Sequence, residues 1–303
     1  MILSKVYPFQ NRRRLLVVPF FLWVLYILLN RDSMIHFWQL SGTVLSSQNW
    51  QGEQDHTNLP FAVVYYTLLD SSHPWEELLT LQMAEMVTFG IAGRAASIYV
   101  ELSTDGDVFL LPNSNNKSIN VLEAASDIVN SLLPTAKVTV WNKNTFEYPG
   151  IHRLWEIAHY DEYQDDSTVL LYFHGKGMVN SDHTHIRTAD NKKLTHTVLK
   201  PWREILQRFK YHPELMKAGY AMAPDGGFAW YNFFWARAFY VREVEEPELT
   251  SQRHYYEDWL ARLKSPNDMT LSNLSYLSLC GDGLGVSYAQ PVISSCENRI
   301  KES

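Results

Sequence analysis

Apolar-rich runs of strand length alternate with segments of helical periodicity along most of this chain of 303 residues. The runs at residues 61–69, 96–102, 137–141 and 168–172 are typical of strands buried on both faces of a sheet. Segments with helical spacing separate most of them. This alternation predicts βαβ units and a mostly parallel central sheet, and therefore a single α/β domain that begins near Phe61.

Apolar residues at helical spacing predict the helices of this domain. We expect helices at residues 75–89, 120–133, 151–160 and 195–209, and a helix-like aromatic segment at 254–260. No internal repeat interrupts the pattern, so one domain accounts for the region.

The composition limits the class of protein. Hydrophobic residues make up 46% of the chain and aromatic residues 14%, which is ample for a packed core. A formal net charge of −7 argues against a nucleic-acid partner, because such proteins usually present a basic face. Abundant aromatic rings suit sugar binding, although cores and interfaces use them equally.

The amino terminus has the pattern of a membrane anchor. Three arginines at positions 12–14 precede an apolar, uncharged run at residues 15–29. The positive-inside rule then predicts a cytoplasmic tail at 1–14, a signal-anchor transmembrane helix at 15–32 and a luminal remainder. Two alternatives are a cleaved signal peptide, which lacks an obvious Ala-x-Ala site here, and a buried core helix.

The region after the anchor reads as a stem followed by the folded domain. Residues 33–60 are rich in Ser, Gln, Asn and Gly and show little periodicity, whereas residues 61–303 hold the α/β pattern. The expected protein is a single-pass type II membrane protein with its domain in the lumen.

Two weaker features agree with a luminal domain. Asn116 and Asn273 begin glycosylation acceptor patterns. The chain has two cysteines, Cys280 and Cys296, and a disulfide between them would stabilise the domain by about 3 kcal/mol. The sequence leaves open whether that bond forms.

The apolar run that starts at Thr168 ends in polar chemistry. It is followed by His174, Gly175, Lys176 and Gly177, which place an imidazole and an ammonium beside two glycines that allow close approach of a ligand. Ligands of open α/β sheets bind beyond the carboxyl ends of the strands. The pattern predicts a ligand site, and the simpler alternative is a strand-to-loop turn with two surface polar residues.

Four motifs together resemble those of a known family. They are FAVVYYTLL followed by Gln82, LLYFHGKG at 170–177, YNFFWARA at 231–238 and YYEDWL at 255–260. This set is similar to the YxHxKG strand end and GNFWWA-type run of glycosyltransferase-like proteins with the Rossmann-related GT-A fold. The resemblance implies a Rossmann-like GT-A domain, a nucleotide-sugar donor and a glycan or glycoconjugate acceptor.

The resemblance also implies roles for individual residues. His174 and Lys176, with Gly175 and Gly177, would bind the donor diphosphate. Glu257, with Asp258 as the second candidate, would take the proton of the acceptor hydroxyl. The residues implied to contact a sugar are Asn232, Trp235 and Trp230. The plainer alternatives are a solvated acid pair on a helix and aromatic residues that pack in the core or a lid.

The sequence assigns no certain cofactor. His174-Gly175-Lys176 stands where many GT-A enzymes have a metal-binding Asp-x-Asp, and a lysine can offset diphosphate charge itself. This predicts a metal-independent enzyme, with Mn²⁺ or Mg²⁺ as the alternative. The weaker metal-ligand candidates are Asp105 and Asp107 in one segment and His183 and His185 in another.

The best functional interpretation is a hexosyltransferase-like glycosyltransferase, and the resemblance of its type II anchor to those of Golgi transferases implies the Golgi or ER membrane. A second class is a non-catalytic glycan-binding or scaffold protein that kept the fold. A third is a metal-dependent hydrolase built on Asp182, His183 and His185, which the fold disfavours by analogy alone.

Overall fold

A computed structural model describes most of the region after the stem. The described residues are 59–70, 74–104, 110–112, 118–175, 184–222, 228–265 and 276–279, without the side chains of 110–112, 118–119, 184–190, Trp230 and Arg253. The chain divides into Met1–His56 and Thr57–Ser303, and every described residue belongs to the second unit. Within the described part, no helix is long and apolar enough to cross a membrane, and the expected tail and anchor lie outside it.

A seven-stranded mixed sheet, with strand order β5-β2-β1-β6-β8-β7-β9, forms the centre of the domain. Its strands are β1 (Phe61–Leu69), β2 (Ser97–Thr104), β5 (Lys137–Trp141), β6 (Val169–His174), β7 (Lys217–Met222), β8 (Ala229–Arg237) and β9 (Tyr276–Ser278). Strands β5, β2, β1 and β6 are mutually parallel, and β8 runs antiparallel between β6 and β7. A small antiparallel pair, β3 (Leu110–Pro112) and β4 (Ser118–Asn120), lies apart from the sheet. The predicted α/β class with a mostly parallel sheet is confirmed, and the fold is compatible with a Rossmann-like architecture.

Helices cover both faces of the sheet. They are α1 (Trp75–Thr88), α2 (Val121–Leu132), α3 (Tyr148–Ala158), α4 (Thr184–Leu199), α5 (Trp202–Tyr211), α6 (Ala238–Glu243) and α7 (Arg253–Glu257). Buried residues of α1, α2, α4 and α5 form one core, and those of α3, α6 and α7 form the other. Strand β1 serves both, because Val63 and Tyr65 face the first core and Val64 and Tyr66 the second.

Local sequence explains most element boundaries. All nine residues of β1 are buried, as its continuous apolar run predicts. Helix α2 begins after Asn120, whose side chain accepts a hydrogen bond from the Leu122 amide at 2.8 Å, and it ends before Pro134. Helix α3 begins three residues earlier than the expected residue 151, with Pro149 in its first turn, where proline loses no helical hydrogen bond.

The prediction of one continuous helix at residues 195–209 is wrong. Helix α4 ends at Leu199 and α5 starts at Trp202, because Pro201 lacks an amide hydrogen and its ring clashes with the preceding helical turn. The apolar spacing continues across the break, since Val198 and Trp202 both pack in the same core.

Candidate functional site

A carboxylate lies at the edge of the sheet where the parallel strands end. Glu147 directly precedes α3, and its Oε2 accepts a hydrogen bond of 2.7 Å from the Asn232 amide. Its Oε1 is 3.7 Å from Nε2 of His174, the last residue of β6. We call Glu147, His174 and Asn232 the carboxyl-edge cluster. In open α/β sheets this edge is where ligands bind.

His174 is held within the domain. Its side chain is 7% exposed, and its Nε2 lies 2.9 Å from the carbonyl oxygen of Tyr231. A carbonyl oxygen can only accept, so Nε2 carries a hydrogen and donates it. The imidazole therefore joins the end of β6 to the backbone of β8 and faces Glu147 at the same time.

Asn232 joins three elements through one amide group. The residue is 1% exposed, and its Nδ2 donates both to Glu147 and, over 2.9 Å, to the carbonyl oxygen of Tyr256 in α7. These bonds use both hydrogens of the amide nitrogen. Asn232 therefore fixes the Glu147 carboxylate and ties the start of α3 to β8 and α7.

The backbone around the cluster is strained. Phe146, Tyr231 and Asn232 are the non-glycine residues with positive φ in the described part of the chain, at 54°, 70° and 53°. The pairing of β7 with β8 is also irregular between Gly219 and Ala221, opposite this segment. Such conformations each cost about 1–3 kcal/mol and concentrate at functional sites. All three residues belong to or adjoin the carboxyl-edge cluster.

The described neighbours of Glu147 are polar side chains and include no lysine or arginine that pairs with it. Burial first, and the nearby Glu147 carboxylate second, raise the pKa of Tyr172 well above its usual range. Among the described lysines and arginines, none forms an ion pair with Glu147. Its Oε2 accepts a hydrogen bond from the Asn232 amide, whereas its Oε1 lies 3.7 Å from the His174 imidazole, beyond hydrogen-bond distance, and so keeps a lone pair that can accept a proton.

No protein-family model and no curated protein sequence matches this chain. The function is therefore inferred from the chemistry of the carboxyl-edge cluster together with the sequence motifs.

The two acids that the sequence singled out have basic partners. Glu257 is 31% exposed and lies 3.2 Å from the His254 imidazole. Asp258 is 48% exposed and binds the Arg262 guanidinium through both carboxylate oxygens. They follow Tyr256, whose carbonyl Asn232 holds, and so they adjoin the carboxyl-edge cluster without belonging to it.

Gly175 packs against a neighbouring strand. Its amide donates to the Tyr66 carbonyl at 2.8 Å, and a Cβ at this position would clash with the Thr67 side chain. Close approach of β1 therefore explains this glycine, where the sequence suggested close approach of a ligand. Lys176 and Gly177 lie outside the described residues.

Trp235 is a core residue. Its side chain is completely buried against Phe61, and its Nε1 donates to the Val198 carbonyl at 2.9 Å. It lies in the core on the opposite face of the sheet from the one Phe234 joins. A ring enclosed in this way cannot stack on a sugar, so the expected sugar contact is corrected to a packing role. Trp230 lies in β8, and its side chain is not among those that the structure describes.

Gln82, in α1, positions the end of β6 through its side-chain amide. Its Oε1 accepts from the Tyr65 hydroxyl at 2.7 Å, and its Nε2 donates to Thr195 at 3.0 Å and to the His174 carbonyl at 3.5 Å. The side chain thereby connects α1, β1, α4 and β6. The motif glutamine is thus a structural tie within the core.

Several expected sites fall outside the described residues. They are Asp105, Asp107, Asp182, His183, Asn116, Asn273, Cys280 and Cys296, together with the side chain of His185 in α4. Among the residues that are described, no group of three or more His, Cys, Asp or Glu could hold a metal ion.

Sequence reasoning missed Glu147. The available signal was its place in the chain, as an acid between a predicted parallel strand and the helix that follows it. Such loops lie at the ligand-binding edge of the sheet. The prediction that α3 starts at residue 151 placed Glu147 in an uninformative loop, whereas it directly precedes the helix.

Proposed function

We propose that this chain is a glycosyltransferase that transfers a sugar from a nucleotide-sugar donor to a glycan or glycoconjugate. The observation that supports it most is the partly buried Glu147 carboxylate, held by Asn232 and facing His174 at the ligand-binding edge of the sheet. The resemblance of the YFHGKG segment to GT-A transferases gives the reaction class. In this proposal the domain is luminal and is anchored in the Golgi or ER membrane by residues 15–32.

Glu147 is the general base of the proposed reaction. The acceptor hydroxyl oxygen attacks the anomeric carbon, its proton passes to the Glu147 carboxylate, and the bond from that carbon to the diphosphate oxygen breaks with its electron pair. Asn232 holds the carboxylate in place for this transfer, and His174 supports the backbone of Tyr231 beside it. This assigns the role expected of Glu257 to a less exposed acid, whose imidazole neighbour lies 3.7 Å away, against 3.2 Å for the imidazole beside Glu257.

The donor side of the proposal follows the strand end. Lys176 would offset the charge of the diphosphate as a point cation, close to where β6 ends at His174. Such a lysine would allow transfer without a divalent ion, and Mn²⁺ or Mg²⁺ is the alternative that the experiment must separate.

The test uses the full chain and a panel of nucleotide sugars, with binding and hydrolysis measured with and without a chelator. We expect turnover that survives chelation, that falls at least tenfold in Lys176→Ala, and that is unchanged in Lys192→Ala, an exposed lysine of α4. Loss of turnover on chelation, with rescue by Mn²⁺, would show that the transfer requires a divalent metal ion and would rule out the metal-free mechanism. Binding without turnover would identify a glycan or nucleotide scaffold, and neither binding nor turnover would overturn the donor site.

A further inference from the structure

A second polar site lies on the opposite edge of the sheet. An open cleft of about 600 Å³ is formed where β2 and β5 begin, with Tyr99 paired in register to Lys137. The residues that matter for its chemistry are Tyr99, Lys137, Arg153, Tyr160, Asp161 and Glu162. We call it the amino-edge cleft. Its volume is within the range of about 300–1,000 Å³ that small-molecule sites occupy.

Lys137 supplies a hydrogen-bond donor to this cleft. Its Nζ is 3.0 Å from the Tyr99 hydroxyl and 3.5 Å from the Ser97 hydroxyl. The bond to Tyr99 raises the pKa of Lys137, so the ammonium keeps its three hydrogens at neutral pH. Tyr99 donates its own hydrogen to Glu162 at 3.4 Å. One ammonium hydrogen is left to point at a ligand.

Arg153 orders the cleft and leaves Tyr160 as a second donor. The guanidinium is bound by the buried Glu101 and by Glu156, both at 2.8 Å, so its charge is already balanced. It also donates to the Tyr160 hydroxyl at 3.3 Å. Because that oxygen accepts from Arg153, its own hydrogen is available to a ligand. The Tyr160 ring is 38% exposed and can cover the apolar face of a bound molecule.

Two carboxylates supply the acceptors. Asp161 and Glu162 are exposed and begin a short 3-10 turn that borders the cleft. An anionic ligand would meet both of these acids, and a cationic ligand would meet the Lys137 ammonium. A hydroxyl group satisfies both sets, because it donates to a carboxylate and accepts from an ammonium or a phenol.

We infer that the amino-edge cleft binds a neutral saccharide of one or two sugar units. This site is separate from the carboxyl-edge cluster, because the five residues of β5 span about 16 Å from one edge of the sheet to the other. Helix α3 connects the two, since it starts after Glu147 and ends shortly before Tyr160. The inference does not rest on the proposed transferase function, because a glycan-binding protein would use the cleft equally.

The experiment is ligand-observed NMR, followed by titration, on the full chain. The probes are glucose, galactose, mannose, N-acetylglucosamine and lactose, with sulfate and putrescine as charged comparisons. We expect binding of at least one saccharide, weakened about tenfold in Lys137→Met and in Asp161→Asn, since each removes a charged hydrogen-bond partner. The matched controls are Lys192→Met and Asp127→Asn, exposed residues of α4 and α2, which keep wild-type affinity.

Three results with the wild-type chain and the two cleft variants would overturn the inference. They are absence of saccharide binding, wild-type affinity in both cleft variants, and binding of sulfate or putrescine more tightly than every saccharide. Circular dichroism shows whether each variant is folded, and the two cleft variants test the site independently. Saccharide binding that persists in Glu147→Gln would separate this cleft from the carboxyl-edge cluster, whereas its loss there would show that the saccharide binds at the cluster and overturn the inference.

Discussion

Two groups of acids lie close together in this domain and are built differently. Glu147 is 20% exposed and is bound by a buried amide beside an imidazole, under a strained backbone. Glu257 and Asp258 are more exposed and are paired with His254 and Arg262. The first arrangement fixes a carboxylate at the carboxyl edge of the sheet, and the second places its carboxylates beside basic side chains at a more exposed position.

This difference shows what a motif can and cannot say about a catalytic acid. The YYEDWL segment resembles a family motif, but the Asp258 carboxylate within it accepts three hydrogen bonds from the Arg262 guanidinium. A base needs an oxygen directed at its substrate. The partners of a carboxylate are therefore more informative than its motif.

Removing one charge from each group of acids tests which of them contains the general base. We expect Glu147→Gln to lower the rate of sugar transfer by at least about 100-fold, since a general base contributes about 10²–10⁴-fold. Glu257→Gln should change it by less than about threefold, because Glu257 lies outside the carboxyl-edge cluster and transfers no proton in the proposed reaction. Initial rates with saturating donor measure both. The reverse order of effects would return the base to Glu257.

The next largest effect concerns the side chain that holds Glu147. Asn232→Ala should lower the free energy of unfolding by about 3 kcal/mol, because it removes a hydrogen bond to a carboxylate and leaves the buried Tyr256 carbonyl without its amide. Asn232→Gly should recover about 1 kcal/mol of this, because glycine adopts the φ of 53° without strain. Urea unfolding of both variants checks the difference. Equal stability of the two would show that the backbone there is relaxed.

A smaller effect tests the strand end that carries His174. Gly175→Ala should destabilise the domain by about 1–3 kcal/mol, because the added Cβ meets the Thr67 side chain. Gly93→Ala is the matched control, since a Cβ there has no neighbour within 4 Å, and it should stay within about 0.5 kcal/mol of wild type. If the two variants unfold at the same urea concentration, Gly175 is open to a ligand, as the sequence first suggested.

The fold was more accessible to sequence reasoning than the site. Strand β1 was predicted with its observed bounds, because a continuous apolar run can be recognised from the sequence of that segment alone. Strand β7 was missed, because its sequence KAGYAM carries small residues and a buried Lys217 that look like a loop. Lys217 is tolerated there because its ammonium donates to the Tyr240 hydroxyl at 2.8 Å.

The site depends on contacts that no local pattern contains. Asn232 was identified from its motif, but its partner Glu147 is 85 residues away in the chain. The sequence could not show whether Trp235 is buried or exposed, because aromatic residues occur equally in cores and in sugar sites. Long-range pairing therefore decides which motif residue reaches the ligand-binding edge.

The smallest expected effect is a change in the pH dependence of stability that arises from Tyr172, which lies beside Glu147. Burial and then Glu147 raise the pKa of Tyr172. Burial also raises the pKa of Tyr255, where the Glu248 amide, which donates to the hydroxyl, and then Arg262 oppose the rise. Above a pH of about 10 the unfolded chain loses the Tyr172 proton while the folded domain keeps it, so stability falls with pH by about 1.4 kcal/mol per unit. Tyr172→Phe should remove this loss from the slope of unfolding free energy between about pH 10 and 11, and Tyr211→Phe, which alters a side chain that is 63% exposed, should not. An unchanged slope in Tyr172→Phe would mean that this hydroxyl loses its proton in the folded domain at the same pH as in the unfolded chain.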